Sequence, residues 1–416
     1  MQTFYKIDSE RVYSRILNLS EIGRVGETGV TRPALTSEDK KAQLLVAKWM
    51  EEAGLTVSHD HFGNLIGRKE GKKPGLPSVM LGSHIDSVLN GGRYDGIIGV
   101  IGAIEVVQII NDENISHDHP IEVVAFCEEE GSRFNDGLFG SRGMVGQIDA
   151  NNLKKRVDEK GISRYEALRT FGFGINPDKI EESIRKKGEI KLFLEMHIEQ
   201  GPYLDETNQP VGIVKGIAGP SWYTITMEGV PGHAGTVPMS MRQDPMAGAA
   251  EVIAEVDKLC KQDPEADTVG TIGRIQSFPG GSNIIPHKVE FSLDLRDIDL
   301  ERRQNVYAQI IKKIELVCAA RKLSYSVDVN MEIDPVPCAD SLINTFNQIS
   351  KAKGINAPVM ISGAGHDAML MADITDIGMV FVRCKDGISH QPREYAAQED
   401  ISLGTELLLE AVMQYI

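Results

Sequence analysis

The chain has 416 residues, 41% of them hydrophobic, and a formal net charge of −16. So acidic a protein is a poor partner for nucleic acid or an anionic membrane surface, and no apolar run reaches the roughly 20 residues of a membrane span. The length allows two domains, and the five scattered cysteines (Cys127, Cys260, Cys318, Cys338, Cys384), with no C-x-x-C pair, point to reduced thiols and a cytoplasmic protein.

Residues 1–20 are charged and lack an apolar segment, so no signal peptide is expected. The spacing predicts an amphipathic helix over 9–19. Thr36-Ser37-Glu38-Asp39 is a capping pattern, and the helix it opens runs to Glu52 and stops at Gly54. Short strands are expected over 55–58 and 64–67. Val79-Met80-Leu81 reads as a buried strand and 97–110 as a buried helix. Between them lies the stretch from Gly82-Ser83-His84-Ile85-Asp86-Ser87 to Gly91-Gly92-Arg93-Tyr94-Asp95-Gly96. His84 and Asp86 then sit at a strand end and Asp95 at a helix start, among glycines that let the backbone bend. In open α/β sheets that edge is where ligands bind. Two readings of it are open. One is a satisfied buried histidine with Asp86 as its partner. The other is a metal site, with His84 and Asp95 as ligands and Asp86 orienting the imidazole.

A strand over 121–127 ends in Glu128-Glu129-Glu130. Such a triple is a solvated surface or, after so apolar a strand, a functional cluster. Neighbours in an extended chain point opposite ways, which would make Glu130 a ligand and Glu129 a base. Residues 133–173 read as loop with short helices, and a strand over 190–196 runs into His197. The texture then changes. Strands over 211–214, 222–228, 269–275, 289–295 and 324–329 alternate with helices over 244–260 and 301–321. This order predicts a separate α+β sandwich, an antiparallel sheet with helices on one face. Strands over 359–362 and 379–382 and a final helix over 399–415 follow. The expected fold is therefore α/β. A large domain, 1–212 and 330–416, has a mixed, mostly parallel sheet flanked by helices, and an α+β sandwich is inserted at 213–329.

His84, His197 and His390 each lie at or near a strand end. With Asp95 and one glutamate of the triple they make a five-ligand set, which suits two ions sharing Asp95 as a bridge. Imidazole and carboxylate without thiolate favour zinc, manganese, cobalt or nickel. Four other residues stay open on their own. Arg296 ends an alternating strand, Asn283 lies in a G-G-S-N turn, His366 in G-A-G-H-D and His233 in P-G-H-A-G. His59, His61, His117, His119 and His287 read as solvent-facing, Cys127 as a small buried residue, and Trp222 and Tyr223 as packing groups.

The motifs G-S-H-x-D-S, N-G-G-x-Y-D-G, E-E-E-G-S-R-F, H-I-E-Q-G-P, G-H-A-G-T-x-P-M, N-I-I-P with D-L-R-D, S-G-A-G-H-D-A and S-H-x-P span nearly the whole chain. Together they resemble the amidase/carbamoylase branch of the dinuclear-zinc peptidase superfamily, the aminoacylase and carboxypeptidase-like enzymes. That branch includes N-carbamoyl-L-amino-acid hydrolases, β-ureidopropionases and allantoate amidohydrolases. The resemblance implies two divalent ions held by His84, Asp95, Glu130, His197 and His390, with Asp95 bridging. It implies Glu129 as general base and Asp86 as the partner behind the first histidine. It places Gln200, His233, Asn283, Arg296 and His366 in substrate binding, with Arg296 gripping a carboxylate by a two-pronged contact. It also implies a homodimer joined through the inserted domain, in which His233 stabilises the oxyanion in the partner's site. No position departs from the family pattern. The expected reaction is hydrolysis of the carbamoyl group of an N-carbamoyl-L-amino acid to amino acid, carbon dioxide and ammonia. Allantoate amidohydrolase is the nearest alternative, and an aminoacylase or peptidase of the same scaffold is more distant. A non-catalytic metal-dependent binding protein would have no use for the base Glu129.

Overall fold

The computed structural model describes residues 5–416, so the first four residues of the segment read for a signal peptide lie outside the described residues. A nine-stranded sheet carries the larger part of the chain. Its centre is four parallel strands in the order Ile121–Phe126, Ser78–His84, Ile190–Ile198 and Asp376–Val382. One margin adds Leu65–Lys69 and Thr56–His59, both antiparallel. The other adds Val211–Ile217, antiparallel to Asp376–Val382, and then Val336–Pro337; Val359–Ser362 also pairs with Val211–Ile217. The mixed sheet is thus parallel in its middle, with antiparallel pairings added toward both margins.

The central strands read as unbroken apolar runs because both their faces are covered. Every residue of Ser78–His84 and of Ile121–Phe126 is buried. The helix Ile97–Asp112 packs on these strands and against Gln398–Val412 and Ser9–Ser20. It is buried continuously from Ile97 to Ile110, which explains why its apolar residues cover every side. Gly99 permits the close seat: a Cβ there would lie 2.4 Å from the Met196 carbonyl oxygen and 2.7 Å from the Ser83 Cβ. The helix Ser37–Glu52 starts as its sequence predicts, with Thr36 Oγ1 accepting from the Asp39 N–H.

Several local expectations shift. The His197 strand runs on to Ile198, so His197 lies inside it. The single strand expected over 269–275 divides into Val269–Thr271 and Ile275–Phe278. Thr271 pairs with Asp294 and Ile275 with Phe291, so three residues face two and the strand bulges around Gly273. A helix over Asp340–Ala352, burying Leu342, Phe346 and Ile349, adds to the expected elements. His117 is buried rather than solvent-facing, with Nδ1 bonded to the His119 carbonyl, and His59 is half-buried, stacked 4.2 Å from Phe173. His117 is held by the backbone of its own loop, whereas His59 closes the strand Thr56–His59 and its ring packs on Phe173. Trp222 is 43% exposed while Tyr223 is buried, because strand neighbours face opposite ways.

A second compact unit comprises Gly216–Pro337 with Ile361–Gly365, wider than the span 213–329 expected for the insert. Its five-stranded sheet is antiparallel, with Lys288–Asp297 and Gly219–Glu228 in the middle and Ser324–Glu332 beside the latter. Tyr223, Ile225, Met227, Val289, Phe291, Leu293 and Leu295 point to one face and form a core with the helices Pro245–Cys260 and Leu300–Arg321. The strict alternation along Lys288–Asp297 follows from only one face being covered. Among the described residues no helix is long and apolar enough to cross a membrane.

Candidate metal centre

Parallel strands end on one edge, and the loops that leave that edge carry the polar residues. His84 closes its strand, and His197 is the last residue but one of the adjacent strand. Asp95 follows in the loop before the helix Ile97–Asp112, and His390 in the loop after Asp376–Val382. Gly96, the N-cap of that helix, has φ 69° and lies so close to His84 that a Cβ would meet its ring at 2.4 Å. Glycine is therefore what lets Asp95 reach the strand ends.

Asp95 sits at the middle of the group. Its Oδ1 lies 3.1 Å from His197 Nε2 and 3.6 Å from His84 Nε2. Its Oδ2 lies 3.3 Å from His390 Nε2, which is itself 3.5 Å from Glu130 Oε2. One carboxylate oxygen thus faces one pair of side chains and the other oxygen faces the second pair. Two sets of donor atoms close enough for an ion result, His84/Asp95/His197 and Asp95/Glu130/His390, with Asp95 common to both. A third set, Glu195/His197/His366, shares His197.

The ring orientations are fixed from behind. His84 Nδ1 donates to the Asp86 carbonyl at 3.1 Å, and His197 Nδ1 donates to the Ile198 carbonyl at 2.9 Å. Each Nε2 is left to face the cluster. The Asp86 carboxylate, expected behind His84, stands 3.6 Å from its Nδ1 and also accepts the backbone N–H groups of Glu129 (3.1 Å) and Glu130 (3.2 Å).

The glutamate triple also differs from an alternating extended chain. The strand stops at Phe126 and Glu128 has φ 56°, so the three residues form a turn. Glu128 points away from the cluster into a buried pair with Arg164 at 2.9 Å and accepts the Phe134 N–H at 3.0 Å. Glu129 Oε2 lies 3.6 Å from His84 Nε2 and Glu130 faces His390. A turn clamped by Asp86, rather than the strand's pleat, separates these roles.

The electrostatics ask for added positive charge. Burial, with neighbouring carboxylates, lifts Glu129 well above the usual carboxylate range and Glu130 to about 7. Burial would lift Asp95 too, but the charge of His197 and the close approach of His197, His390 and His84 hold it well below its ordinary value. His84 is pushed well above the usual imidazole range, since the neighbouring carboxylates of Glu129, Asp86 and Asp95 outweigh burial. His390 is raised to about 9, chiefly by its hydrogen bond to Asp95. His84 Nε2 is buried and makes no hydrogen bond. An orphaned imidazole nitrogen facing two carboxylates, in a set of imidazole and carboxylate donors, fits divalent cations of the zinc or manganese kind.

Gln200, with φ 59°, donates from Nε2 to Asp95 Oδ2 at 2.8 Å and leaves its buried Oε1 without a partner. His366 is buried with its ring 4.4 Å from that of His197, and burial followed by the charge of His197 keeps it neutral. In the smaller unit, Gly232-His233 pairs antiparallel with Ile284-Ile285, and the Ala234 N–H bonds to the Asn283 carbonyl, so His233 and Asn283 share one corner. His233 Nδ1 accepts from the Gly235 N–H at 3.0 Å, which places the ring hydrogen on Nε2. Arg296 is already engaged two-pronged by Asp294 (2.9 and 2.8 Å) and donates to the Gly363 carbonyl at 2.6 Å.

Four polar residues around the cluster went unread in the sequence. Glu195 accepts from Ser83 Oγ and the Ala368 N–H, Asp367 from Ser141 Oγ, and Ser389 and Glu394 meet beside Asp95. Glu195 carried a usable signal, because it stands two residues before His197 and so shares its strand face. The others come from separate loops and helices, and no local pattern joins them.

The family profile described as Peptidase family M20/M25/M40 matches residues 80–414. The chain is 60% identical over 410 residues to the N-carbamoyl-L-amino-acid amidohydrolase of Pseudomonas sp. (strain NS671), with 99% of each chain covered. It is 35% identical to the allantoate deiminase of Arabidopsis thaliana over 424 residues, covering 95% of this chain and 81% of that one. The solved structure of an amidase of the hydantoinase/carbamoylase family from Burkholderia multivorans aligns with a TM-score of 0.91 at 33% identity over 98% of each chain.

Proposed function

This chain belongs to peptidase family M20/M25/M40, and from that membership we propose that it removes the carbamoyl group from N-carbamoyl-L-amino acids, giving the amino acid, carbon dioxide and ammonia. The observation that carries the reading is the placement of Asp95, with one oxygen toward His84 and His197 and the other toward His390 near Glu130. Metal dependence belongs to the family; two ions per chain is the further step this carboxylate supports. Bound there, such ions supply a water of lowered pKa and positive charge for the attacked carbonyl oxygen. Their identity among zinc, manganese, cobalt and nickel is left to the metal available.

Glu129 is the proposed general base. It lies at the rim of the cluster, joins neither ligand set that shares Asp95, and burial raises its proton affinity. It takes a proton from the attacking water and delivers it to the nitrogen that leaves with the amino acid. The carbamate formed then breaks down to carbon dioxide and ammonia. The Nε2–H of His233 suits a donor to the developing oxyanion, and family resemblance assigns it to the partner subunit's site in a homodimer. Arg296, Asn283, Gln200 and His366 are proposed to hold the substrate. Its carboxylate would share the Arg296 guanidinium with Asp294, whose two-pronged grip keeps that guanidinium oriented.

Ammonia release by metal-loaded protein, measured against N-carbamoyl-L-amino acids, β-ureidopropionate and allantoate, tests the proposal. The L-carbamoyl series is expected to react fastest. Turnover of allantoate alone would replace this substrate with that of the more distant relative.

A further inference from the structure

The two ligand sets differ in what holds them. His84 and His197 lie on adjacent central strands, 1% exposed each, and the sheet fixes them. Glu130 and His390 lie on loops, and the His390 side chain is 50% exposed with φ 57° at its backbone. No strand ladder fixes that second pair relative to Asp95; the Glu130 side chain is buried, at 6% exposure, and its N–H is held by Asp86, while His390 has neither support. One residue outside both sets ties the loops together.

Glu394 is 3% exposed and sits four residues beyond His390 in the same loop. Its Oε1 accepts the backbone N–H groups of Tyr94 (2.8 Å) and Asp95 (3.1 Å). Its Oε2 lies 3.1 Å from Ser389 Oγ, and that hydroxyl lies 2.7 Å from Asp95 Oδ2. The Ser389 hydroxyl thus stands between the Glu394 and Asp95 carboxylates, within hydrogen-bond reach of both. The two loops are pressed together here, since a Cβ on Gly92 would meet the Glu394 carboxyl carbon at 2.1 Å. Glu394 therefore holds the backbone of the shared carboxylate, and through Ser389 it orients the oxygen that faces His390. Its hydrogen bonds reach the shared Asp95, Tyr94 and Ser389, and neither His84 nor His197.

We propose that Glu394, acting through Ser389, is a positioning residue for the second ion, the one held by Asp95, Glu130 and His390. The inference rests on the two-ion reading above. A carboxylate that accepts two backbone N–H groups makes charge-assisted bonds, and removing a residue that supports a metal ligand typically costs about 10–100-fold in metal affinity.

The test is calorimetric titration of metal-free protein with zinc, alongside metal counts after dialysis against a weak chelator. Wild type is expected to take two ions. Glu394→Ala should take the first with unchanged affinity and bind the second about 10–100-fold more weakly. Glu394→Gln keeps an oxygen for both N–H groups and offers its amide to Ser389, so it should restore the second ion to within a few-fold. Ser389→Ala should weaken the second ion alone, and it carries the test together with Glu394→Gln should Glu394→Ala fail to fold. Two ions at wild-type affinity in Glu394→Ala, or equal loss of both, would overturn the inference by itself. A wild type that takes one ion overturns the two-ion reading and this inference with it.

Discussion

Three consecutive glutamates show how far neighbours can diverge. Glu128 neutralises Arg164 where both side chains are fully buried. Glu128→Ala leaves the buried Arg164 with Asp136, at 2.9 Å, as its remaining carboxylate, so it should lower stability by about 1–3 kcal/mol in chemical denaturation. Glu129 makes no structural hydrogen bond through its carboxylate among the contacts described and faces His84. Glu129→Gln should therefore keep its melting temperature and metal content while turnover falls about 10²–10⁴-fold, as expected for loss of a general base. Unchanged turnover would remove Glu129 from the chemistry. The sequence marks the triple as unusual, but it does not assign the three roles. The positive φ of Glu128 and the clamp from Asp86 decide them.

At the level of elements, the junction between the His84 strand and the helix Ile97–Asp112 carries the most constraint. Gly96 combines a left-handed backbone with contact against the His84 ring. Gly96→Ala should cost about 1–3 kcal/mol from the backbone alone and push His84 out of line. Metal affinity should fall more than stability does, which zinc titration and thermal melting read separately; a folded variant with wild-type affinity would show that the junction yields. The central strands were legible because burial on both faces writes itself as an apolar run, and the helix because its apolar run is longer than a strand would be. The split strand at Gly273 was not legible, since a bulge depends on the partner's register. The corner that joins His233 and Asn283 is equally non-local: about fifty residues separate the two segments that pair there.

For the whole molecule, His84, Asp95, Glu129, Glu130, His197 and His390 all belong to the larger unit, while His233, Asn283 and Arg296 belong to the smaller. Ions bound only to the folded larger unit stabilise it by mass action, by about 4 kcal/mol per ion at a thousandfold excess over Kd. Scanning calorimetry with and without chelator should then shift the transition of the larger unit downward and leave that of the smaller unit in place. A chelator-independent trace would mean that the cluster adds nothing to folding. Glu130, Asp367 and Glu394 are raised toward neutrality by burial first and then by neighbouring carboxylates, Asp95 for Glu130 and Glu394 and Glu195 for Asp367.

The sequence by itself determined the α/β class, the strand ends that carry His84 and His197, and the imidazole and carboxylate chemistry of the candidate metal centre, since hydrophobic periodicity and side-chain chemistry are local properties. Only the tertiary structure decided which oxygen of Asp95 faces which histidine, that the Asp86 carboxylate clamps the Glu129–Glu130 turn as well as standing beside His84, and that Glu394 and Ser389 join two loops about three hundred residues apart. Those facts depend on distances between segments remote in sequence, and such distances exist only once the chain has closed on its core.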